Sequence, residues 1–201
     1  MPSFADLPLC PELQFALQQL NYSQPTPIQQ KAIPLILQGH DLMAEAQTGT
    51  GKTASFALPM IETFSQQEIP EGYKNIRGLV LVPTRELAIQ VADATLEYGK
   101  ALGMRVISVY GGIRFENQVR KMKGGADILV ATPGRLLDML TQGKLHLNNL
   151  QTLVFDEADR MLDLGFIDAI KSILGFCPKK YQTLLFSATS NESIDLLADY
   201  L

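Results

Sequence analysis

The run Ala46-Gln47-Thr48-Gly49-Thr50-Gly51-Lys52-Thr53 sets two glycines, a lysine and a hydroxyl at the spacing that wraps a polyphosphate. Glycines let backbone N–H groups curl toward an anion, and a helix starting near Gly51 adds its positive end. Lys52 can then reach the outer phosphates while the Thr53 hydroxyl ligates Mg²⁺. The run departs from the general pattern at its first position, where Ala46 replaces glycine and the turn must accept a methyl group. Far downstream, Asp156 and Glu157 follow the apolar stretch Leu153-Val154-Phe155. A carboxylate ending a buried strand can hold Mg²⁺, and a second beside it can orient and deprotonate an attacking water. The chemistry indicated is cleavage of a nucleoside triphosphate by water.

Those groups must be brought together by the elements that carry them. From residue 42 onward, short apolar runs (42–46, 79–82, 106–110, 128–131, 152–155 and 183–187) alternate with helical patterns such as 86–102 and 161–174. Such alternation predicts βαβ crossovers, hence an α/β fold with a mainly parallel sheet flanked by helices. In open parallel sheets, functional segments lie beyond the carboxyl ends of the strands. The six strands therefore deliver 47–53, 83–88, 111–112, 132–135, 156–159 and 187–189 to one edge. Before the first strand, residues 11–20 and 28–37 show helical spacing, the second disturbed by Pro34. The leading segment, 1–38, is expected to pack on the α/β core. Residues 66–77, with Pro70 and Gly72, are expected to form a flexible loop.

Composition narrows the class. The chain has 201 residues, 46% hydrophobic and 19% charged, so one globular domain over 1–201 is expected, with no need for disulfide or metal staples. Two cysteines without a C-x-x-C pattern and only two histidines argue for a reducing compartment and against zinc. No apolar run approaches the roughly 18 residues that span a bilayer, and a soluble, cytoplasmic protein without membrane contact is expected. With 17 basic against 21 acidic residues, net charge −4, any polyanion must be held locally. The cluster Arg114, Arg120, Lys121 and Lys123 reads as a solvated helix face. Leu136, Leu137, Met139 and Leu140 read as core, and His40 and His146 offer no catalytic case.

Five segments taken in order resemble the first RecA-like domain of DEAD-box ATP-dependent RNA helicases: AQTGTGKT, Pro83-Thr84-Arg85-Glu86-Leu87-Ala88, Thr132-Pro133-Gly134-Arg135, Asp156-Glu157-Ala158-Asp159 and Ser187-Ala188-Thr189. The likeness covers essentially the whole chain and implies a three-layer RecA-like P-loop fold. Asn21-Tyr22-Ser23-Gln24-Pro25-Thr26-Pro27-Ile28-Gln29 resembles the family's Q motif. By that likeness Gln29 would donate to and accept from adenine, while Tyr22, Gln24 and Thr26 border it. Asn21 replaces the usual Gly, and Tyr22 the usual Phe, keeping a ring for stacking. Phe4 sits where the family often keeps an aromatic supporting that site; a plain apolar anchor is the other reading.

The resemblance assigns ATP and Mg²⁺ as cofactors, with Lys52, Asp156 and Glu157 as the catalytic set and Thr53 and Asp156 toward the metal. Thr48, Thr50 and the other loop residues would border phosphate. It assigns Pro83, Thr84, Arg85, Gly111, Gly112, Thr132, Gly134 and Arg135 to the sugar-phosphate backbone of RNA, contacts that ignore base identity. Asp159, Ser187 and Thr189 would couple nucleotide to domain closure. Family members draw arginine fingers from a second RecA-like domain, and nothing after Thr189 could form another sheet. A monomeric half-enzyme is therefore expected, binding nucleotide but turning it over poorly. An ATP-gated RNA clamp and a DNA-acting motor remain as alternatives; the preference for RNA rests on resemblance.

Overall fold

The computed structural model describes residues 3–68 and 76–201. In chain order the elements are α1 (Pro11–Gln19), α2 (Pro27–Leu37), β1 (Leu42–Glu45), α3 (Lys52–Ser65), β2 (Gly78–Leu81), α4 (Arg85–Gly99), β3 (Val106–Val109), α5 (Phe115–Met122), β4 (Ile128–Ala131), α6 (Pro133–Thr141), β5 (Thr152–Phe155), α7 (Ala158–Asp163), α8 (Ile167–Leu174), β6 (Gln182–Ser187) and α9 (Glu192–Tyr200). The strands form one sheet in the order β1-β6-β5-β2-β4-β3, and every pairing is parallel. Central strands β2, β4 and β5 are buried throughout, which explains their unbroken apolar sequences.

Side chains alternate across the sheet with the period of two that strand geometry imposes. Val80, Val130, Val154 and Phe186 join Phe56, Ile61 and Ile33 in the core beneath α1–α4. Leu81, Leu129, Phe155 and Leu185 join Met139, Met161 and Ile170 in the core beneath α5–α9. Layers of helix, sheet and helix make up the RecA-like architecture.

Proline opens α1, α2 and α6 in the first turn, where its missing N–H costs nothing. The leading segment is tied down by named contacts. Leu13 and Leu17 are buried, the Cys10 N–H donates to Glu62 Oε2 at 2.7 Å, and Gln14 Nε2 donates to the Phe4 carbonyl at 2.7 Å.

Two sequence expectations are corrected. The pattern at 161–174 is not one helix: α7 ends at Asp163 and α8 starts at Ile167, with Gly165 between them at φ 79°, a left-handed conformation that glycine adopts freely. The pattern at 86–102 becomes α4 followed by a 3-10 turn over Lys100–Leu102. The expected loop at 66–77 falls largely outside the described residues, at 69–75, but its last residues are anchored. Ile76 and Arg77 are buried. Arg77 pairs with Asp127 at 2.7 Å, donates to the Phe64 carbonyl at 2.8 Å and lies 4.7 Å over the Phe64 ring.

Arg77→Met should cost about 3 kcal/mol of stability, because it leaves Asp127 short of its cation in a low-dielectric setting. A urea midpoint within error of the parent would show that the pair contributes nothing.

Candidate nucleotide and nucleic-acid site

Backbone geometry shapes the phosphate loop. Gly49 and Gly51 sit at φ 84° and 85°, and Gly51 caps α3, which begins at Lys52. Free N–H groups of that first turn therefore face the loop. The dihedral favours glycine at position 51, and a Cβ there would also push the Gln29 amide from its place.

Lys52 Nζ lies 3.6 Å from Asp156 Oδ1, both side chains almost wholly buried. Neither atom has a hydrogen-bond partner. Burial pushes the Asp156 carboxyl above the usual carboxylate range; the Lys52 ammonium opposes that shift, and the neighbouring Glu157 adds to it. A cavity of about 390 Å³ exposes Lys52, Thr53, Asp156 and Glu157 together, with Tyr22 also on its wall. Mg²⁺ binds through one or two carboxylates, substrate phosphates and water rather than an all-protein cage. The orphaned Asp156 oxygen and the Thr53 hydroxyl fit that requirement.

Glu157 adopts a left-handed backbone, φ 54° and ψ 51°, a conformation costly for a side-chain-bearing residue and concentrated at functional sites. Its carboxylate meets the exposed Arg160 at 3.5 Å. Two adjacent carboxylates thus occupy different settings, one desolvated beside a cation and one on the cavity wall.

The Q-motif segment reaches the same loop. Gln29 is 3% exposed; its Oε1 accepts from the Thr26 N–H at 2.9 Å, closing a capping box on α2, and its Nε2 donates to the Gly51 carbonyl at 3.1 Å. Gln29 therefore grips the phosphate loop directly, and its amide is committed to Thr26 and Gly51. Gln24 lies exposed between α1 and α2. Phe4 is buried and meets Tyr22 with ring centroids 6.1 Å apart, so it supports the ring that the Q-motif likeness puts against adenine. A larger cavity of about 520 Å³, lined by Thr26, Lys31, Ala46, Gln47 and Thr50, touches neither Lys52 nor Asp156. The smaller one holds the glycine turn and the first turn of α3 with Lys52, the groups suited to phosphate.

The segments toward β3 share the carboxyl edge of the sheet. Thr84 caps α4, accepting from the Leu87 N–H at 3.2 Å. Arg85 is exposed and lies 5.3 Å over the Tyr110 ring. Gly111, Gly112 and Gly134 are exposed, whereas Pro83 and Thr132 are buried. Arg135 is already engaged: its Nη1 donates to the Ile113 carbonyl at 3.0 Å and to Gln118 Oε1 at 2.8 Å. It braces the turn before α5, and phosphate could use only its remaining donors.

Residues 26–197 match the family model described as DEAD/DEAH box helicase. The chain belongs to this family. It is 47% identical over 193 residues to the ATP-dependent RNA helicase DeaD of Escherichia coli, an alignment covering 96% of the chain and 30% of that protein. It is 44% identical over 197 residues to the DEAD-box ATP-dependent RNA helicase CshA of Bacillus subtilis, covering 98% and 39%. A crystal structure of a DEAD box protein from the hyperthermophile Methanococcus jannaschii superposes with TM-score 0.90 at 40% identity, over 99% of this chain and 53% of that one. The chain thus spans about a third of the length of these curated relatives.

Within this DEAD/DEAH box chain, cross-links between motifs run through β1 and β6. The Ala46 N–H donates to the Ser187 carbonyl at 2.9 Å, and Gln47 Nε2 donates to the Ala188 carbonyl at 3.1 Å. Ser187 Oγ donates to the Thr189 carbonyl at 2.7 Å, and Thr189 Oγ1 donates to Asp159 Oδ2 at 3.1 Å. A continuous polar path therefore joins the phosphate loop, 187–189 and Asp159.

Sequence reasoning missed Gln118, which is buried and holds Arg135, and Tyr98 on the cavity wall. Each stands on an amphipathic helix, and nothing in its local pattern marks it. Among the described residues no helix is long and apolar enough to cross a membrane. Arg114, Arg120, Lys121 and Lys123 are exposed, on or beside α5.

Proposed function

We propose that this chain is the ATP-binding half of an RNA-stimulated ATPase that separates short duplexes or remodels RNA–protein complexes. One observation carries the reading: Lys52 Nζ and Asp156 Oδ1 are buried, adjacent and without hydrogen-bond partners, and they open into the cavity that Thr53 and Glu157 share. Leaving such groups unsatisfied is costly unless a ligand completes them. A Mg²⁺-bound triphosphate supplies both missing partners.

On this reading, Lys52 and the first-turn N–H groups of α3 neutralise the outer phosphates. Thr53 and Asp156 hold Mg²⁺, which would stabilise charge developing on the transferred group. Glu157 accepts the proton of the attacking water. Gln29, Thr26, Tyr22 and Gln24 take the adenine end. Pro83, Thr84, Arg85, Gly111, Gly112, Thr132, Gly134 and Arg135 take one RNA strand by its backbone, so recognition is independent of sequence. A second RecA-like domain of the same protein closes over both ligands, and the links among Asp159, Ser187 and Thr189 transmit occupancy to that closure. The protein works as a soluble, cytoplasmic component, and this half alone is a monomer.

The test uses the complete protein with single-stranded RNA and DNA of equal length. ATP hydrolysis should rise at least about tenfold with RNA, corresponding to about 1.4 kcal/mol, and little with DNA. Equal stimulation would make it a motor without preference for RNA. ATP-dependent RNA retention without hydrolysis would make it a clamp.

A further inference from the structure

We propose that Tyr98, at the C-terminal end of α4, is a positioning residue for the base. It holds the Tyr22 ring by a hydrogen bond between the two phenol oxygens and acts on nucleotide affinity through that ring alone. The inference rests on the reading of Tyr22 as the surface against which adenine stacks.

Tyr98 is 3% exposed and Tyr22 is 39% exposed, yet both line the cavity that holds Lys52 and Asp156. Their hydroxyls are 3.2 Å apart. The two rings meet edge-on, with centroids 6.1 Å apart and planes at 63°. Phe4 packs against the same Tyr22 ring with planes at 32°. Two buried aromatics from opposite ends of the segment 4–98 therefore grip one half-exposed ring.

The physical consequence concerns preorganisation. A half-exposed tyrosine samples several rotamers, and a ligand that stacks on it must first select one. The hydroxyl bond and the Phe4 contact make that selection before the ligand arrives. A buried phenol also needs a partner, and the Tyr22 hydroxyl supplies it. Burial, the largest cause, raises the Tyr98 pKa, so the group remains a neutral phenol and the bond persists through physiological pH. Position 22 also departs from the phenylalanine usual in the resembling family, and the added oxygen is the atom that Tyr98 engages. The two tyrosines form a unit.

Calorimetry on the 201-residue chain, in Mg²⁺, with ADP and with inorganic tripolyphosphate as a probe lacking a base, tests this. Tyr98→Phe, nearly isosteric, should weaken ADP by roughly three- to tenfold, the scale of one neutral hydrogen bond, and leave tripolyphosphate unchanged. Tyr22→Phe should do the same, and the double variant should be no worse than either single, because one bond is lost once. Unchanged ADP affinity in Tyr98→Phe, additive losses, or an equal loss for tripolyphosphate would overturn the proposal, the last because it reveals general loosening. Tyr22→Ala separates this from the parent reading. If removing the ring leaves ADP affinity intact, adenine does not stack there and both fall; if Tyr22→Ala weakens ADP while Tyr98→Phe does not, only the role of Tyr98 falls.

Discussion

Lys52→Ala should weaken ATP and ADP binding by roughly 10- to 100-fold, the scale of a charged hydrogen bond at about 1.5–3 kcal/mol. The lysine points at Asp156 across 3.6 Å in a nearly dry site, so its removal deletes the cation facing the phosphates and strands a buried carboxylate. The second effect has a measurable sign. Burial already raises the Asp156 pKa, and Lys52 is the main opposing influence; without it the pKa climbs further. A carboxyl whose folded-state pKa lies above its unfolded one favours the fold at low pH, and that advantage disappears as pH rises through the folded value. The stability deficit of Lys52→Ala should therefore be small near pH 4, the ordinary carboxylate value, and grow toward neutrality. Thermal melts of variant and parent across this range check it. A deficit independent of pH would mean that Asp156 does not sense Lys52.

Glu157→Gln should divide chemistry from binding in the complete protein. Glutamine keeps the size and one acceptor oxygen but cannot take a proton at neutral pH. Loss of a positioned general base costs about 10²- to 10⁴-fold, so RNA-stimulated hydrolysis should fall by at least about 10². ATP affinity should stay within about twofold, since Glu157 lies outside the Lys52–Asp156 pair and meets exposed Arg160 instead, a contact worth little. Single-turnover hydrolysis with radiolabelled ATP, alongside equilibrium binding, separates the two quantities. Near-normal turnover would assign Glu157 some other role, and lost binding would place it among the phosphate or metal contacts.

Much of the site was legible because its chemistry is local. Gly49, Gly51, Lys52 and Thr53 are consecutive or nearly so, and a strand-to-helix turn is enough to aim them; Asp156 and Glu157 likewise declare themselves by ending an apolar strand. Six strands showed as apolar runs because a parallel sheet covered on both faces permits few polar side chains. The split of α7 from α8 was harder to see, because a lone glycine is tolerated in many helices and only the φ of 79° at Gly165 makes it a break.

What tertiary structure decided is which distant polar atoms meet. The order β1-β6-β5-β2-β4-β3 sets β1 beside a strand 142 residues away by the pairing of Leu42 with Leu184, which brings Gln47 to Ala188. Arg135 looked like a free phosphate ligand in sequence, yet folding surrounds it with Ile113 and Gln118 acceptors. Arg77 looked like part of a loop, yet Asp127 and the Phe64 carbonyl draw it inside. Nothing in sequence marked Tyr98, and its hydroxyl meets that of Tyr22 only because α1 and α4 pack together. Periodicity and residue type record which face of an element is buried. Hydrogen-bond partners depend on angles and distances within a few tenths of an ångström, and these exist only after the layers have packed.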